Sequence, residues 1–296
     1  ARGAARGGAA DASESLFARL VGCGLSPELL AVQYRMPEAL IEFSAKRFYQ
    51  GRLRTACAHA GASRPALVGA PFDWAPGSLP LLFVDTADAE PSGSFHEQRR
   101  SADTRGTAEA AAVVGEARPG GQPVYGATSY RNPCEARLAA AAVRALVAGG
   151  LKAADIGVIT PYAAQVRAIG DELGGGGGWG GDVEVSSVDG FQGREKEAIV
   201  LSAVRSNANR ATGFLKDWRR LNVSITRARR CIIVIGDSRT LSADPSWGAF
   251  INHARKRGGY VKIGAAPGAA ERGPARATPE PDAGSGSAAA ASAAAA

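Results

Sequence analysis

An α/β domain built around a mainly parallel sheet is the fold this sequence predicts, and two observations predict it. Short apolar runs (Leu79–Asp85, Ile156–Thr160, Ala198–Val204, Cys231–Gly236) alternate with segments of helical periodicity. Hydrophobic residues make up 45% of the 296 positions, enough for a sizeable core.

The elements follow in order. Residues 1–13 are rich in Ala, Arg and Gly, lack the apolar core of a secretory signal, and are expected to be disordered. A start at Ala rather than Met points to a fragment. Ser15–Leu20 reads as a short helical run and Leu29–Val32 as a short apolar strand. Pro37–Tyr49 is predicted as a helix, with Pro37 at its start and Leu40, Ile41, Phe43, Phe48 and Tyr49 on its apolar face. Leu79–Asp85 is a buried strand ending in a carboxylate. Residues 87–127 are dominated by Gly, Ala, Ser, Pro and Arg without a sustained strand pattern, and read as a long flexible insertion. Asn132, Pro133 and Glu135 carry an N-cap, a first-turn proline and a capping partner, and the helix they open ends at Gly149-Gly150. Ile156–Thr160 is a strand, Ala163–Leu173 a helix and Gly174–Gly181 a glycine-rich loop. Val183–Val188, Ala198–Val204 and Cys231–Gly236 are strands, whereas Leu221–Arg229 and Trp247–Arg257 are helices. Residues 264–296, made mainly of Ala, Gly, Pro and Ser, cannot bury a core and read as a disordered tail. One domain over 14–263 is therefore expected.

Net charge is +7 and the isoelectric point about 9.5, a balance that favours polyanionic partners. No strongly apolar run approaches the roughly 18 residues of a membrane span, so no membrane partner is expected. The four cysteines show no Cys-x-x-Cys spacing and the three histidines are scattered, which argues against zinc. Free thiols fit a reducing compartment, cytoplasmic or nuclear, with Cys231 opening a strand as a small core residue.

The densest polar chemistry lies between residues 183 and 237. Strands there run into Gln192-Gly193-Arg194-Glu195 and follow Arg227 and Arg229, where an ordinary core strand would meet simple turn residues. This pattern suits a charged, hydrogen-bonding ligand such as a nucleotide phosphate. Yet the chain has no Gly-Lys dipeptide, so it has no G-x-x-x-x-G-K-[ST] phosphate loop. Gly174–Gly181 lacks the Lys and the Ser or Thr. Asp171-Glu172 sits in a helical pattern rather than after a buried strand, and Asp237 has no acidic neighbour. Gripping residues are present without the machinery that binds most of a triphosphate.

Four motifs stand in one order: Gln33-Tyr34-Arg35-Met36, Thr160-Pro161-Tyr162, Val188-Asp189-Gly190-Phe191-Gln192-Gly193-Arg194-Glu195, and Asn222-Val223-Ser224-Ile225-Thr226-Arg227-Ala228-Arg229. Together they resemble the C-terminal motor domain of superfamily 1 helicases of the up-frameshift, Sen and Smubp type. The resemblance implies a RecA-like fold that works beside an N-terminal RecA-like domain, in cis or in trans. That absent first domain would bind most of ATP and Mg²⁺. The long insertion and the glycine-rich loop depart from the family and inherit no role.

The resemblance also implies roles. Tyr34 stacks on adenine and Arg35 approaches the γ-phosphate; an aromatic ring beside a guanidinium suits a nucleotide. Arg227 is the arginine finger, with Arg229 a salt-bridge or phosphate contact on another side of the same helix. Glu195 accepts from ribose hydroxyls, Gly193 lets backbone approach the ligand, and Gln192 and Arg194 couple nucleotide state to domain closure. Thr160, Pro161, Tyr162, Ser186, Ser187 and Val188 contact single-stranded nucleic acid, RNA or DNA, with Tyr162 as a stacking surface. Lys216, Arg219 and Arg220 add positive charge near Trp218. The expected function is 5′ to 3′ translocation by a complete motor, with negligible ATPase activity of this chain alone. The alternative is a non-catalytic module that binds nucleic acid or a partner.

Overall fold

The computed structural model describes residues 15–56, 68–70, 72, 74, 79–88, 98–100, 129–174 and 182–263. The expected disorder at 1–13 and 264–296, most of the insertion 87–127 and nearly all of the glycine-rich loop lie outside the described residues.

The α/β expectation holds. Six parallel strands form one sheet, flanked on both faces by helices, as in a RecA-like domain. In chain order its strands are β3 (Leu81–Asp85), β6 (Ile156–Thr160), β7 (Glu184–Ser187), β8 (Lys196–Ser202), β9 (Ala228–Gly236) and β10 (Tyr260–Lys262). Their spatial order is β10-β3-β9-β8-β6-β7, and every neighbouring pair is parallel. Two further pairs stand outside this sheet. They join β1 (Val32–Gln33) to β2 (Arg54–Thr55) in parallel and β4 (Gln98–Arg100) to β5 (Ser129–Arg131) antiparallel.

Strand side chains alternate between the two faces. Leu81, Phe83, Ile199, Leu201, Ile232 and Val234 enter one core with α2 (Glu38–Phe48), α5 (Trp218–Ile225) and α7 (Pro245–Lys256). Leu82, Val84, Ala198, Val200, Ile233 and Ile235 enter the other with α3 (Pro133–Ala148) and α4 (Ala163–Glu172). Because both faces are covered, these strands read as continuous apolar runs rather than as alternating ones. A short helix, α6 (Ser238–Leu241), follows β9. The first helix, α1 (Leu16–Gly22), buries none of its residues.

Several expected boundaries moved. The apolar run Leu29–Val32 forms only the two-residue β1, with Leu30 87% exposed, because nothing among the described residues covers it. The helix expected over Leu221–Arg229 runs from Trp218 to Ile225. The Thr226 hydroxyl donates back to the Asn222 carbonyl at 2.7 Å, and Ala228 already pairs with Lys196 in the sheet. Arg229 consequently lies on a strand and Arg227 in the turn before it, so neither is on the helix. Cys231 lies within β9 rather than at its start. The last long helix begins at Pro245, where Asp244 accepts from the Ser246 and Trp247 amides. Strand β4 falls inside the stretch read as strandless, and β10 carried no recognised signal.

Residues 188–195 link β7 to β8 although β6 lies between those strands. They start where β7 ends and finish where β8 begins, so they run from one end of the parallel sheet to the other. Phe191, fully buried, packs over β6 at Gly157. A Cβ on Gly157 would lie 2.7 Å from Phe191 Cζ, 3.0 Å from Ile199 Cδ1 and 3.1 Å from Lys196 Cγ. Gly157→Ala should therefore lower stability by about 1–3 kcal/mol through overpacking. Urea unfolding tests this, and an unchanged midpoint would show that the crossing is not tight.

Candidate functional site

The site begins with a bend that Gln33 holds. Its Oε1 accepts from the Arg35 amide at 2.9 Å and the Met36 amide at 3.0 Å. Its Nε2 donates to the Met36 carbonyl at 2.6 Å and to the Thr55 hydroxyl, its neighbour across β1 and β2. Met36 is buried against the sheet, so the bend presents Tyr34 and Arg35 outward. Tyr34 is 72% exposed.

Arg35 then reaches two distant segments. Its Nε donates to Glu195 Oε2 at 2.5 Å, and its Nη1 donates to the Thr226 carbonyl at 2.9 Å. Arg227 is the next residue in the turn between α5 and β9. Its guanidinium folds back, with Nε donating to the Val223 carbonyl and Nη2 to the Thr226 hydroxyl, both at 2.9 Å. Arg229 Nε lies 3.9 Å from Glu195 Oε1 and 3.4 Å from Glu197 Oε1. Tyr34, Arg35, Glu195 and Arg227 all line one cleft of about 550 Å³. Its remaining wall is mostly apolar and includes Leu29, Leu30, Val32, Tyr49 and Leu53.

Three guanidinium groups thus surround one carboxylate. The Arg35 hydrogen bond holds the Glu195 carboxyl below the usual carboxylate range, against the upward push of partial burial; Arg35, Arg229 and Arg227 add attraction. Burial first, and the charge of Arg35 second, pull Arg227 down to about 10, so it stays charged at neutral pH. The cleft carries excess positive charge and suits an anion.

Not every expected residue arrives there. Gln192 and Gly193 sit on an exposed turn outside the cleft wall. Gly193 has φ of 80° and open space around it, so the turn conformation itself requires glycine. Arg194 points to β7, where it pairs with Glu184. Gln33 and Thr55, which orient the bend, were not singled out for that task. The signal available was Gln33 two residues ahead of an arginine, and nothing local announced its partner 22 positions away.

The residues expected to meet nucleic acid lie at the opposite, C-terminal end of the strands. Thr160 ends β6 and Ser187 ends β7, and these two residues are register partners. Thr160, Tyr162, Ser187 and Val188 are buried, whereas Pro161 and Ser186 are partly exposed. Ser187 Oγ accepts from the Gly190 amide at 3.1 Å. Tyr162 is only 3% exposed, between the rings of Tyr130 and Phe214. At the same end Arg220 holds Asp189 through two hydrogen bonds, at 3.3 and 3.0 Å.

A buried polar network supports this end. Asn132 caps α3 as expected, its side chain accepting from the Glu135 amide at 3.2 Å. Glu135 does more than cap. Its carboxylate accepts from Asn132 Nδ2 at 3.2 Å, Ser202 Oγ at 2.7 Å and the Val204 amide at 2.8 Å. The Asn132 amide, which a reciprocal capping box would give to Glu135, goes to Gln165 Oε1 at 2.8 Å. Full burial pushes Glu135 up to about 8, against the downward pull of the Val204 and Ser202 hydrogen bonds.

Comparison with known proteins decides the family. A family model described as an AAA domain matches residues 12–239. The chain belongs to this AAA-domain family. It is 36% identical over 258 residues to the regulator of nonsense transcripts 1 homolog of Arabidopsis thaliana, covering 86% of this chain and 18% of that protein. It is 34% identical over 260 residues to the ATP-dependent helicase NAM7 of Saccharomyces cerevisiae, covering 86% and 23%. It is 37% identical over 233 residues to the DNA-binding protein SMUBP-2 of Mesocricetus auratus, covering 78% and 20%. This homology makes the AAA domain a domain of the helicase family. The chain spans about a fifth of the length of these relatives. No helix among the described residues is long and apolar enough to cross a membrane.

Glu135 gives this AAA domain a distinctive pH response. Between the ordinary carboxylate value of 4.5 and about 8, the folded state keeps a proton that the unfolded chain has lost. Stability from this group therefore falls as pH rises through that window. Glu135→Gln should lose about 1–3 kcal/mol at the acid end of that window, because its amide sets a donor against a donor. It should also lack the slope. Denaturation of both proteins across the window checks this, and parallel curves would refute it.

Proposed function

We propose that this domain is the second, C-terminal motor domain of an ATP-dependent helicase or translocase on single-stranded RNA or DNA. It works against a first RecA-like domain that holds the phosphates, in cis or in trans. The observation that carries this reading is the convergence of Tyr34, Arg35, Glu195 and Arg227 on one cationic cleft in a chain without a phosphate loop. Anion-gripping groups without phosphate-cradling ones make half of a nucleotide site. Exposed apolar side chains that line the cleft, among them Leu30 at 87% and Val32 at 45% exposure, support a second body closing over this face.

In this reading Tyr34 stacks on the base, and Arg35 and Arg227 neutralise charge on the transferring phosphoryl group. Glu195 holds the two like charges close until a triphosphate replaces it as their counter-ion, and is then free to accept from ribose hydroxyls. Arg227 has to leave the Val223 carbonyl to reach a phosphate, which makes its engagement dependent on closure. The cleft does not fit Mg²⁺: the two guanidinium groups that line it repel a cation, and Glu195 is occupied by Arg35. The metal would belong to the opposing domain. Strand contacts at the other end of the sheet come from Thr160, Pro161, Tyr162, Ser186, Ser187 and Val188, with Tyr162 acting from beneath exposed neighbours. Residues 188–195, including Gln192, Gly193 and Arg194, connect that end to Glu195 and give the two ends a covalent link.

The test is ATP hydrolysis by the domain supplied with its first motor domain. Hydrolysis should require both parts, and Arg227→Ala should lower kcat by about 10³- to 10⁵-fold. An unchanged rate in the variant would remove the finger assignment. No hydrolysis by any combination would favour a binding module instead.

A further inference from the structure

In the sequence Arg220 is one more cation near Trp218, yet in the structure its guanidinium grips Asp189. Nε donates to Asp189 Oδ1 at 3.3 Å and Nη2 to Oδ2 at 3.0 Å, a two-pronged contact. Both partners are partly exposed, and such pairs add little to stability. The significance of this one lies in what it joins. Asp189 stands at the start of the segment 188–195 that ends in Glu195. Arg220 stands in the first turn of α5, whose far end is followed by Thr226 and Arg227.

The far ends of the same two segments are joined as well. Arg35 donates to Glu195 and, at 2.9 Å, to the Thr226 carbonyl. Segment 188–195 and α5 are therefore two rails tied at both ends, by Arg220 and Asp189 at the C-terminal end of the strands and by Arg35 at the cleft. Both rails rest on one core, Val188 and Phe191 from the first and Leu221 and Ile225 from the second. Contacts run along α5 from one tie to the other. Ser224 Oγ donates to the Arg220 carbonyl at 2.8 Å, and Arg227 Nε donates to the Val223 carbonyl at 2.9 Å. When a triphosphate replaces Glu195 as the partner of Arg35, the tie at the cleft opens. The pair of Arg220 and Asp189 still holds the rails together at the other end.

The first rail starts beside the serines proposed to meet a strand. Ser187 Oγ accepts from the Gly190 amide at 3.1 Å, which leaves its own proton to donate to a phosphate. Gly190 packs closely on the same hydroxyls: a Cβ there would lie 2.7 Å from Ser186 Oγ and 3.2 Å from Ser187 Oγ. A phosphate held by these serines therefore acts on the turn that carries Asp189. At the other end, Arg227 engages a phosphate only by leaving the Val223 carbonyl of α5.

We infer that the Asp189–Arg220 pair is the tie that makes strand binding and nucleotide binding depend on each other. The inference rests on the helicase reading above and gives positioning roles to two residues outside the cleft wall. With the pair intact, a strand at Ser187 shifts α5 together with the segment it touches, and α5 presents Arg227. Without it, each ligand still binds but acts on one rail alone.

The test is the affinity of the full-length protein, with its first motor domain, for a labelled oligo-dT or oligo-rU strand. It is measured with and without the non-hydrolysable ATP analogue AMP-PNP and Mg²⁺. In the unaltered protein the two Kd values should differ by about 5- to 150-fold, and the strand should shift the AMP-PNP affinity by the same factor. Asp189→Asn and Arg220→Gln should each bring the ratio of Kd values close to one. Arg220→Lys, the mildest change, keeps the charge without the fork and should keep part of the ratio. It reads the tie even where another variant melts early. The double variant should lose no more than the larger single loss, because both changes remove one contact. Melting temperatures should fall by no more than about 2–4 °C. A merely structural pair would move the melting temperature and leave the ratio alone. An unaltered ratio in the variants, losses that combine in the double variant, or a ratio of one in the unaltered protein overturns the tie and leaves the helicase reading standing. Failure of the unaltered protein to bind either the strand or AMP-PNP removes the helicase reading, and the tie with it.

Discussion

The passage of residues 188–195 across β6 is the constraint on which the rest of this structure depends. A connection between parallel strands usually takes a dozen or more residues and a helix. Here eight residues suffice, since β7 ends at Ser187 and β8 begins at Lys196. The short path works because Gly157 leaves room for the Phe191 ring beneath it. The outcome is geometric. One continuous segment starts beside Ser187 at the C-terminal end of the strands and delivers Glu195 to the N-terminal end. Five residues of β6 at about 3.3 Å each separate those ends by roughly 16 Å.

At the N-terminal end the organising charge is Glu195. Its pair with Arg35 is partly exposed, and such pairs add little to stability. Its effect is positional. Arg35 and Arg227 would repel one another without it, and with it they sit together on one wall, while Arg229 approaches from behind, shared with Glu197. Arg227 is further restrained by the end of its own helix, through the Val223 carbonyl. A cationic cluster gathered around one carboxylate is what the proposed nucleotide role requires, and scattered surface arginines would not supply it.

The C-terminal end is organised by opposite means. Glu135 is fully buried, bound by three donors, and helps to hold Val204 in a left-handed conformation. A β-branched residue in that conformation costs about 1–3 kcal/mol. The network that offsets this strain joins the starts of α3 and α4 to the end of β8, through Asn132, Gln165 and Ser202. One end of the sheet is thus ionic and partly exposed, the other buried and hydrogen-bonded.

The residues alone determined five of the six strands of the sheet, β10 excepted, because strands buried on both faces must be apolar throughout, and runs such as Leu81–Asp85 and Ile156–Thr160 cannot satisfy a helix or a loop. They also determined the capped start at Asn132 and the motif residues Tyr34, Arg35, Glu195 and Arg227, whose polar character breaks the apolar pattern. Tertiary structure decided the rest. The helix through Leu221 stopped at Ile225 because pairing of Ala228 with Lys196 captured the following residues, a long-range contact without local signature. The same pairing moved Arg229 onto a strand and brought it to Glu195. Only packing could reveal that Tyr162 lies beneath its neighbours, or that Arg220 meets Asp189, since these residues come from separate segments. Periodicity reports which side of an element faces the core; which distant segments then meet is set by strand order and by the space that a residue such as Gly157 leaves open.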